Sequence, residues 1–331
     1  MSPCSFPYSL LHRDEMMMQI NVYGMQRQPF LFIIDYKAET GYVIPSADIQ
    51  PEFLKFSVNE KLDSAFPENA PVKWEVHPVE TVLYRTKFDD VVEQIRLGNS
   101  FLVNLTQPAL VETNLNLEDL YRCGKARYKL WLKERFTVLS PETFIKIVDG
   151  KIFSYPMKGT IDASVHDAEN TILSDPKEKA EHATIVDLIR NDLSIVADNV
   201  EVTRYRYTDI LHTNKGDLLQ VSSEIKGDLP PGFLARLGQI VFSLLPAGSI
   251  SGAPKPKTLQ IIEAVEGYDR GFYTGIFGWF DGRNLDSAVM IRFVEQQGNS
   301  LVFKSGGGIT SQSNPEKEYE ELIRKIYVPL H

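Results

Sequence analysis

The run Pro29-Phe30-Leu31-Phe32-Ile33-Ile34-Asp35-Tyr36 constrains the fold more than any other part of the chain. Its consecutive apolar, β-branched and aromatic residues predict a strand with hydrophobic side chains on both faces, so it belongs in the middle of a sheet covered on both sides. Covering such a strand takes a large core. With 331 residues, 43% of them hydrophobic and 24% charged, the chain is long enough to bury about three quarters of its unfolded surface without staples. Only Cys4 and Cys123 are present, too few for a disulfide framework and without the paired spacing of a structural zinc site, which fits a reducing, cytoplasmic setting.

Other segments alternate helix with strand. Apolar residues at Phe88, Val91, Val92 and Ile95 predict a helix over 86–97, with Thr86 and Asp89 as a capping box and Gly98 as the stop. Strands are expected over 100–106, 143–148 and 151–155, the last two joined by the turn Asp149-Gly150. A second helix should open at Pro176 behind Asp175 and run to Leu193. A small-residue loop at 247–254 leads to a third helix over 256–265. Strands over 274–280, 287–294 and 300–304 form a meander that Gly306-Gly307-Gly308 should break, and a last helix runs from Asn314-Pro315 to about Tyr327. No repeat, low-complexity linker or composition shift cuts the chain. A single mixed α/β unit over 1–331 is the simplest account.

Charge narrows the function. Lys and Arg number 35 against 44 Asp and Glu, a formal net charge of −9, and no basic block interleaved with aromatics could follow a phosphate backbone, so nucleic acid is not an expected partner. The first residues lack a basic region followed by a long apolar core, and no window of eighteen uncharged apolar residues follows. The expectation is a soluble protein that is not exported and has no membrane partner.

Glu178 with Glu181, and Glu318 with Glu321, lie three residues apart and so share a face of their helices. Four such acids can bracket a hard cation such as Mg²⁺, which prefers oxygen ligands and keeps several waters. Equally, Glu178 follows Asp175 as a capping-box acid would, and Glu321 precedes Lys325 as a surface ion pair would. Lys158, in Pro156-Met157-Lys158-Gly159-Thr160, is either a nucleophile with a lowered pKa or a solvated loop charge. Glu142 could donate a proton if its pKa were raised. Arg292, flanked by Ile291 and Phe293, needs a carboxylate partner, either from a ligand or from the protein. Arg190-Asn191-Asp192 reads as a structural polar cluster, and His182 and His212, lacking ligand spacing, read as structural.

Taken together, Ser140-Pro141-Glu142, the Lys158 segment, Asp175-Pro176-Lys177-Glu178-Lys179-Ala180-Glu181-His182 and Asp187-Leu188-Ile189-Arg190-Asn191-Asp192-Leu193 resemble the chorismate-binding enzymes. Ser251-Gly252-Ala253-Pro254-Lys255, Arg270-Gly271-Phe272-Tyr273-Thr274-Gly275, Ile291-Arg292, Gly306-Gly307-Gly308-Ile309 and the helix at 318–325 extend the match over roughly residues 85–328. The resemblance implies an α/β fold of the α+β type: two large antiparallel sheets packed around the active site, helices outside, a core over 86–328 and a shortened N-terminal portion over 1–85. It favours the metal reading, with Mg²⁺ bridging Glu178, Glu181, Glu318 and Glu321 to the ring carboxylate of chorismate. Gly159 and Thr160 would line that side. Arg292, Tyr273, Lys325 and the backbone at Gly308 would hold the enolpyruvyl carboxylate.

Within the family, leucine at 102 excludes the water-activating lysine of isochorismate-type enzymes, and lysine at 158, where anthranilate synthases generally carry alanine, points to aminodeoxychorismate synthase component I. The resemblance then implies a covalent route: Lys158 adds to C2 of chorismate, the C4 hydroxyl leaves with help from Glu142, and ammonia displaces the lysine. The product would be 4-amino-4-deoxychorismate, a precursor of para-aminobenzoate and folate. Ammonia would come from a glutamine amidotransferase partner, since the chain carries no glutaminase motif. Leu102 and Gln220 depart from the residues usual in the family, glutamine and histidine. The alternatives are anthranilate synthase component I and a non-catalytic chorismate-binding regulatory subunit.

Overall fold

The computed structural model describes residues 6–59, 71–213 and 216–329, apart from the side chains of Lys177, Leu211, His212 and Thr213. The readings made for Cys4 and for the His212 side chain lie outside them. Cys123 is a buried free thiol.

The strand at 29–36 is Phe30–Ile34, fully buried, pairing with Thr40–Pro45 on one side and Ile276–Phe280 on the other. Its two faces do different work because successive side chains alternate. Leu31 and Ile33 pack with Leu54, Leu130, Val138 and Phe293 of a second sheet. Phe30, Phe32 and Ile34 pack with Met16 and Ile20 of the helix Arg13–Gln26 and with Leu237 and Val241 of Leu237–Ser243. Burial of each such side chain contributes about 1.5–3 kcal/mol. This one strand therefore joins the inter-sheet core to the helical layer.

Among the described residues the first sheet has ten strands. Its order is Leu11–His12, Thr40–Pro45, Phe30–Ile34, Ile276–Phe280, Leu285–Val289, Thr143–Val148, Lys151–Ser154, Gly216–Asp228 and Met157–Asp162, with Asp198–Thr213 also on Gly216–Asp228. The second has eight, in the order Gly252–Ala253, Leu102–Thr113, Ser300–Ile309, Phe293–Gln297, Phe136–Ser140, Tyr128–Leu132 and Leu54–Val58, with Trp74–His77 on Leu102–Thr113. Pairing is antiparallel throughout, which gives the two-sheet α+β architecture expected from the sequence.

Three local expectations change. The helix placed at 86–97 is Thr81–Arg96; Glu80 is the residue before it, and the Thr86 hydroxyl bonds back to the Val82 carbonyl within the helix instead of capping it. The strand placed at 287–294 is divided into Leu285–Val289 and Phe293–Gln297, because Arg292 adopts a left-handed backbone with φ of 51°. The glycines at 306–308 continue Ser300–Ile309 instead of ending it, pairing with Thr106, Leu105 and Asn104. The helix Pro176–Leu193 stands as read, with Asp175 Oδ1 accepting the Glu178 amide at 3.0 Å. The most apolar eighteen residues, Phe233–Ile250, have a mean hydropathy of 1.4 and are half buried. They fold as a 3₁₀ turn at Phe233–Arg236, the short helix Leu237–Ser243 and a second turn at Gly248–Ile250, far short of the roughly twenty helical residues a span requires.

Candidate active site

A bulge presents Lys158. Met157 faces Ser222 and Thr160 faces Gln220, so one extra residue is accommodated between them and the ladder slips at Lys158 and Gly159. Gly159 takes φ of 85°, and a Cβ there would meet Glu178 Oε2 at 2.8 Å, so this glycine lets the strand backbone close on the carboxylate. On the same face of the helix, Glu181 Oε2 lies 3.8 Å from Lys158 Nζ, the two side chains 13% and 24% exposed. Thr160, next along, is exposed at the sheet edge.

The second carboxylate pair arrives from the helix Pro315–Arg324, which Asn314 caps by accepting the Lys317 amide. Glu318 is buried. A Cβ on Gly307 would meet Glu318 Oε2 at 3.8 Å and both Glu321 Oε1 and Lys325 Nζ at 3.9 Å. On Gly308 it would meet Leu102 Cδ1 at 3.0 Å and Lys158 Nζ at 3.2 Å. Two bare glycines in a strand thus mark where the second carboxylate pair and both lysines come together, with Glu181 of the first pair 3.8 Å from Lys158. Lys325 Nζ donates to Glu321 Oε1 at 2.6 Å and to the Gly306 carbonyl at 3.2 Å. Burial lowers its pKa, Glu321 opposes that shift, and the positive charges of Lys158 and Arg292 reinforce it.

Glu142, just before Thr143–Val148, accepts the Ser249 hydroxyl. Burial pushes its carboxyl up, while Ser249 and the charges of Lys158, Lys325 and Arg292 pull the other way. A small cavity of about 20 Å³ beside it, lined also by Tyr155, Pro156 and Ser249, has the size of a single water. Arg292 stacks on Tyr327, its guanidinium 4.9 Å from the ring centroid, and makes no ion pair among the described residues. The expectation of a carboxylate partner within the protein is therefore not met. Tyr273 is 3% exposed; burial raises its phenol, with Arg292 and Glu142 both in electrostatic reach. The assembly is a raised acid, three cations and four carboxylates, suited to a small dianion with a hard cation beside it.

Several contributors carry no sequence signal of their own. Ser249 lies 107 positions from Glu142. His182 is fully buried, as its structural reading implied; Nε2 lies 2.7 Å from Ser223 Oγ, and burial with nearby Arg206 pushes its pKa down to about 4. Asp192 pairs with Lys255 at 2.8 Å and ties the small-residue loop to the helix Pro176–Leu193, the structural role read for Arg190-Asn191-Asp192. An exposed group, Glu75, His77 and Glu112, has ligand atoms within 4.8 Å of one another and lies outside this site.

Comparison with known proteins gives a concordant result. Residues 30–331 match the chorismate binding enzyme family. An uncharacterised PabA-like protein of Pasteurella multocida is 50% identical over 315 residues, 94% of this chain and 97% of that protein. A PabA-like protein of Haemophilus influenzae is 48% identical over 313 residues, 94% and 95% of the two chains. Anthranilate synthase component 1 of Aquifex aeolicus is 32% identical over 265 residues, 73% of this chain and 51% of that protein. Among solved structures, anthranilate synthase component I from Streptococcus pneumoniae superposes with a TM-score of 0.69 at 22% identity, over 90% of this chain and 79% of that one. A Bacillus anthracis protein described as a 2,3-dihydroxybenzoate-specific isochorismate synthase superposes with a TM-score of 0.73 at 22% identity, over 97% and 89%. These likenesses extend the fold across nearly the whole chain.

Proposed function

The chain belongs to the chorismate-binding enzyme family, and from that premise we propose that it is aminodeoxychorismate synthase component I, aminating chorismate at C4 through a covalent adduct on Lys158. The observation that carries the reading is the convergence at Gly308: Lys158 Nζ sits over a bare backbone strand, beside the apolar Leu102 side chain and within the field of an acid whose carboxyl is raised. An amine can attack only without its proton, and a neighbouring leucine keeps water from competing for the same carbon. Amidotransferase docking, a cytoplasmic setting, folate precursor synthesis and operation of residues 1–331 as one unit belong to the same proposal.

The Lys158 nitrogen bonds to C2, the ring double bonds shift, and the C4–O bond breaks as Glu142 gives its proton to the departing hydroxyl, which leaves as water. Ammonia then bonds to C4, the electrons return through the ring, and the C2–N bond breaks to restore the lysine. Arg292, Tyr273, Lys325 and the Gly308 amide hold the enolpyruvyl carboxylate, and Gly159 and Thr160 flank the ring carboxylate.

The donor set fits a hard divalent cation. Glu178, Glu181, Glu318 and Glu321 offer oxygen only, and Gly159 and Gly307 leave against them spaces that a Cβ would fill. Mg²⁺ held there would orient the ring carboxylate and draw electrons from the diene.

The test is product analysis. Purified protein with chorismate, Mg²⁺ and ammonium salt should yield aminodeoxychorismate without release of pyruvate. An ortho-amino product with pyruvate would assign the anthranilate reaction instead, which the 32% identity to an anthranilate synthase component keeps in view. Mg²⁺-dependent chorismate binding with no turnover would assign a regulatory subunit.

A further inference from the structure

Farther along the strands that carry the site, a cavity of about 380 Å³ opens between Leu102–Thr113, the helix Thr81–Arg96 and the turn after the helix Lys255–Glu266. None of its lining residues belongs to the site above. Its walls are mostly apolar, including Pro78, Val79, Ala109 and Val302, with His77, Glu266 and Gln297 among the polar lining, and its mouth carries Leu83 and Leu110, 49% and 51% exposed. That volume is within the range of small-molecule pockets, which join mostly apolar walls to a few fixed polar groups.

Here the fixed polar group is Lys87. Nζ donates to the Glu266 carbonyl at 2.6 Å and to Gln107 Oε1 at 3.0 Å, and among the described residues its third proton has no acceptor and its charge no carboxylate partner in an ion pair. Both anchors are rigid. Gln107 is 2% exposed, and the Glu266 carboxylate is locked by Arg270 and by the Thr106 amide and hydroxyl. Partial burial lowers the Lys87 pKa and the negative charge of Glu266 opposes that shift, but the Glu266 carboxylate is already bound to Arg270 and makes no ion pair with this ammonium. An anion that also brought apolar surface would supply one while covering Leu83 and Leu110.

We propose that this cavity is a second ligand site, distinct from the chorismate site, for a small organic monocarboxylate with a compact apolar body, its carboxylate received by Lys87.

The probe is 3-phenylpropionate, titrated into the full chain and followed by ligand-observed NMR, with 3-phenylpropanol as the uncharged control. Saturable binding of the acid is expected, weakened about tenfold or more by Lys87→Gln and similarly in the alcohol, for loss of one charge-assisted bond. Arg292→Ala, which removes a carboxylate anchor of the candidate active site, should leave the affinity unchanged. Leu110→Glu places a like charge at the mouth without touching either anchor of Lys87, and should also weaken the acid. No saturable binding in the millimolar range, equal binding of acid and alcohol, or binding abolished by Arg292→Ala and retained in Lys87→Gln would each overturn the proposal.

Discussion

Two ion pairs of the molecule are built to opposite ends. Arg270 and Glu266 are 1% and 2% exposed, and all five guanidinium donors are spent: Nε and Nη2 on Glu266 at 2.8 and 2.6 Å, Nη2 also on the Asn104 carbonyl, and Nη1 on the Ile250 carbonyl and Thr274. Lys158 and Glu181 are partly open and 3.8 Å apart, outside hydrogen-bond range. Removing charge from water costs several kcal/mol and is offset only when each proton finds an acceptor. The Arg270 pair meets that condition and leaves nothing for a ligand. The contact between Lys158 and Glu181 is longer than a hydrogen bond, and the Lys158 nitrogen stays within reach of a ligand over Gly308. A saturated pair holds Asn104, Ile250 and Thr274 in place; a loose one is what a substrate can complete.

That contrast can be broken in order of effect. Lys158→Ala should lower kcat by on the order of 10³-fold or more while moving Tm by no more than about 2 °C. A large loss of Tm instead would make Lys158 structural. Arg270→Ala should do the reverse, removing about 3–5 kcal/mol in denaturant unfolding by leaving Glu266 buried and unpaired; a loss below about 1 kcal/mol would mean the network is not what locks these segments. Glu142→Gln should lower kcat by about 10²-fold. Because the acid must carry its proton, the parent rate should fall as pH rises through the raised pKa of Glu142, and the variant should lose that limb of the profile. His182, whose pKa falls from 6.5 to about 4 on folding, binds its proton in the unfolded chain over that interval, so stability is lost as pH falls through it. Unfolding free energy should drop by about 2 kcal/mol between pH 7 and 5 from this residue, and His182→Gln should flatten the slope. Smallest of all, Thr86→Ala should cost under about 0.5 kcal/mol, since Thr86 is not the cap it resembles.

The sequence carries the local half of this picture. Phe30–Ile34 and Pro176–Leu193 are legible because their signals, an unbroken apolar run and a proline behind an aspartate, lie within the segment itself. What is not legible depends on contacts across the chain. Gly306 to Gly308 look like a break by composition, yet they pair as strand, and their missing side chains make room for Glu318, Glu321, Lys325 and Lys158. The slip at Lys158 and Gly159 exists only against Ser222 and Gln220. Thr86 and Asp89 imitate a capping box five residues inside a helix whose actual start, after Glu80, carries no side-chain cap. Ser249 and Arg270 show their roles only once Glu142 and Glu266 are beside them.

The most direct measurement is the intact-protein mass after incubation with chorismate and Mg²⁺ in the absence of ammonia. The account predicts a species heavier by chorismate less one water, mapped to the peptide holding Lys158 and discharged on addition of ammonium salt. Full amination with no such species at any time, and undiminished amination by Lys158→Ala, would contradict it.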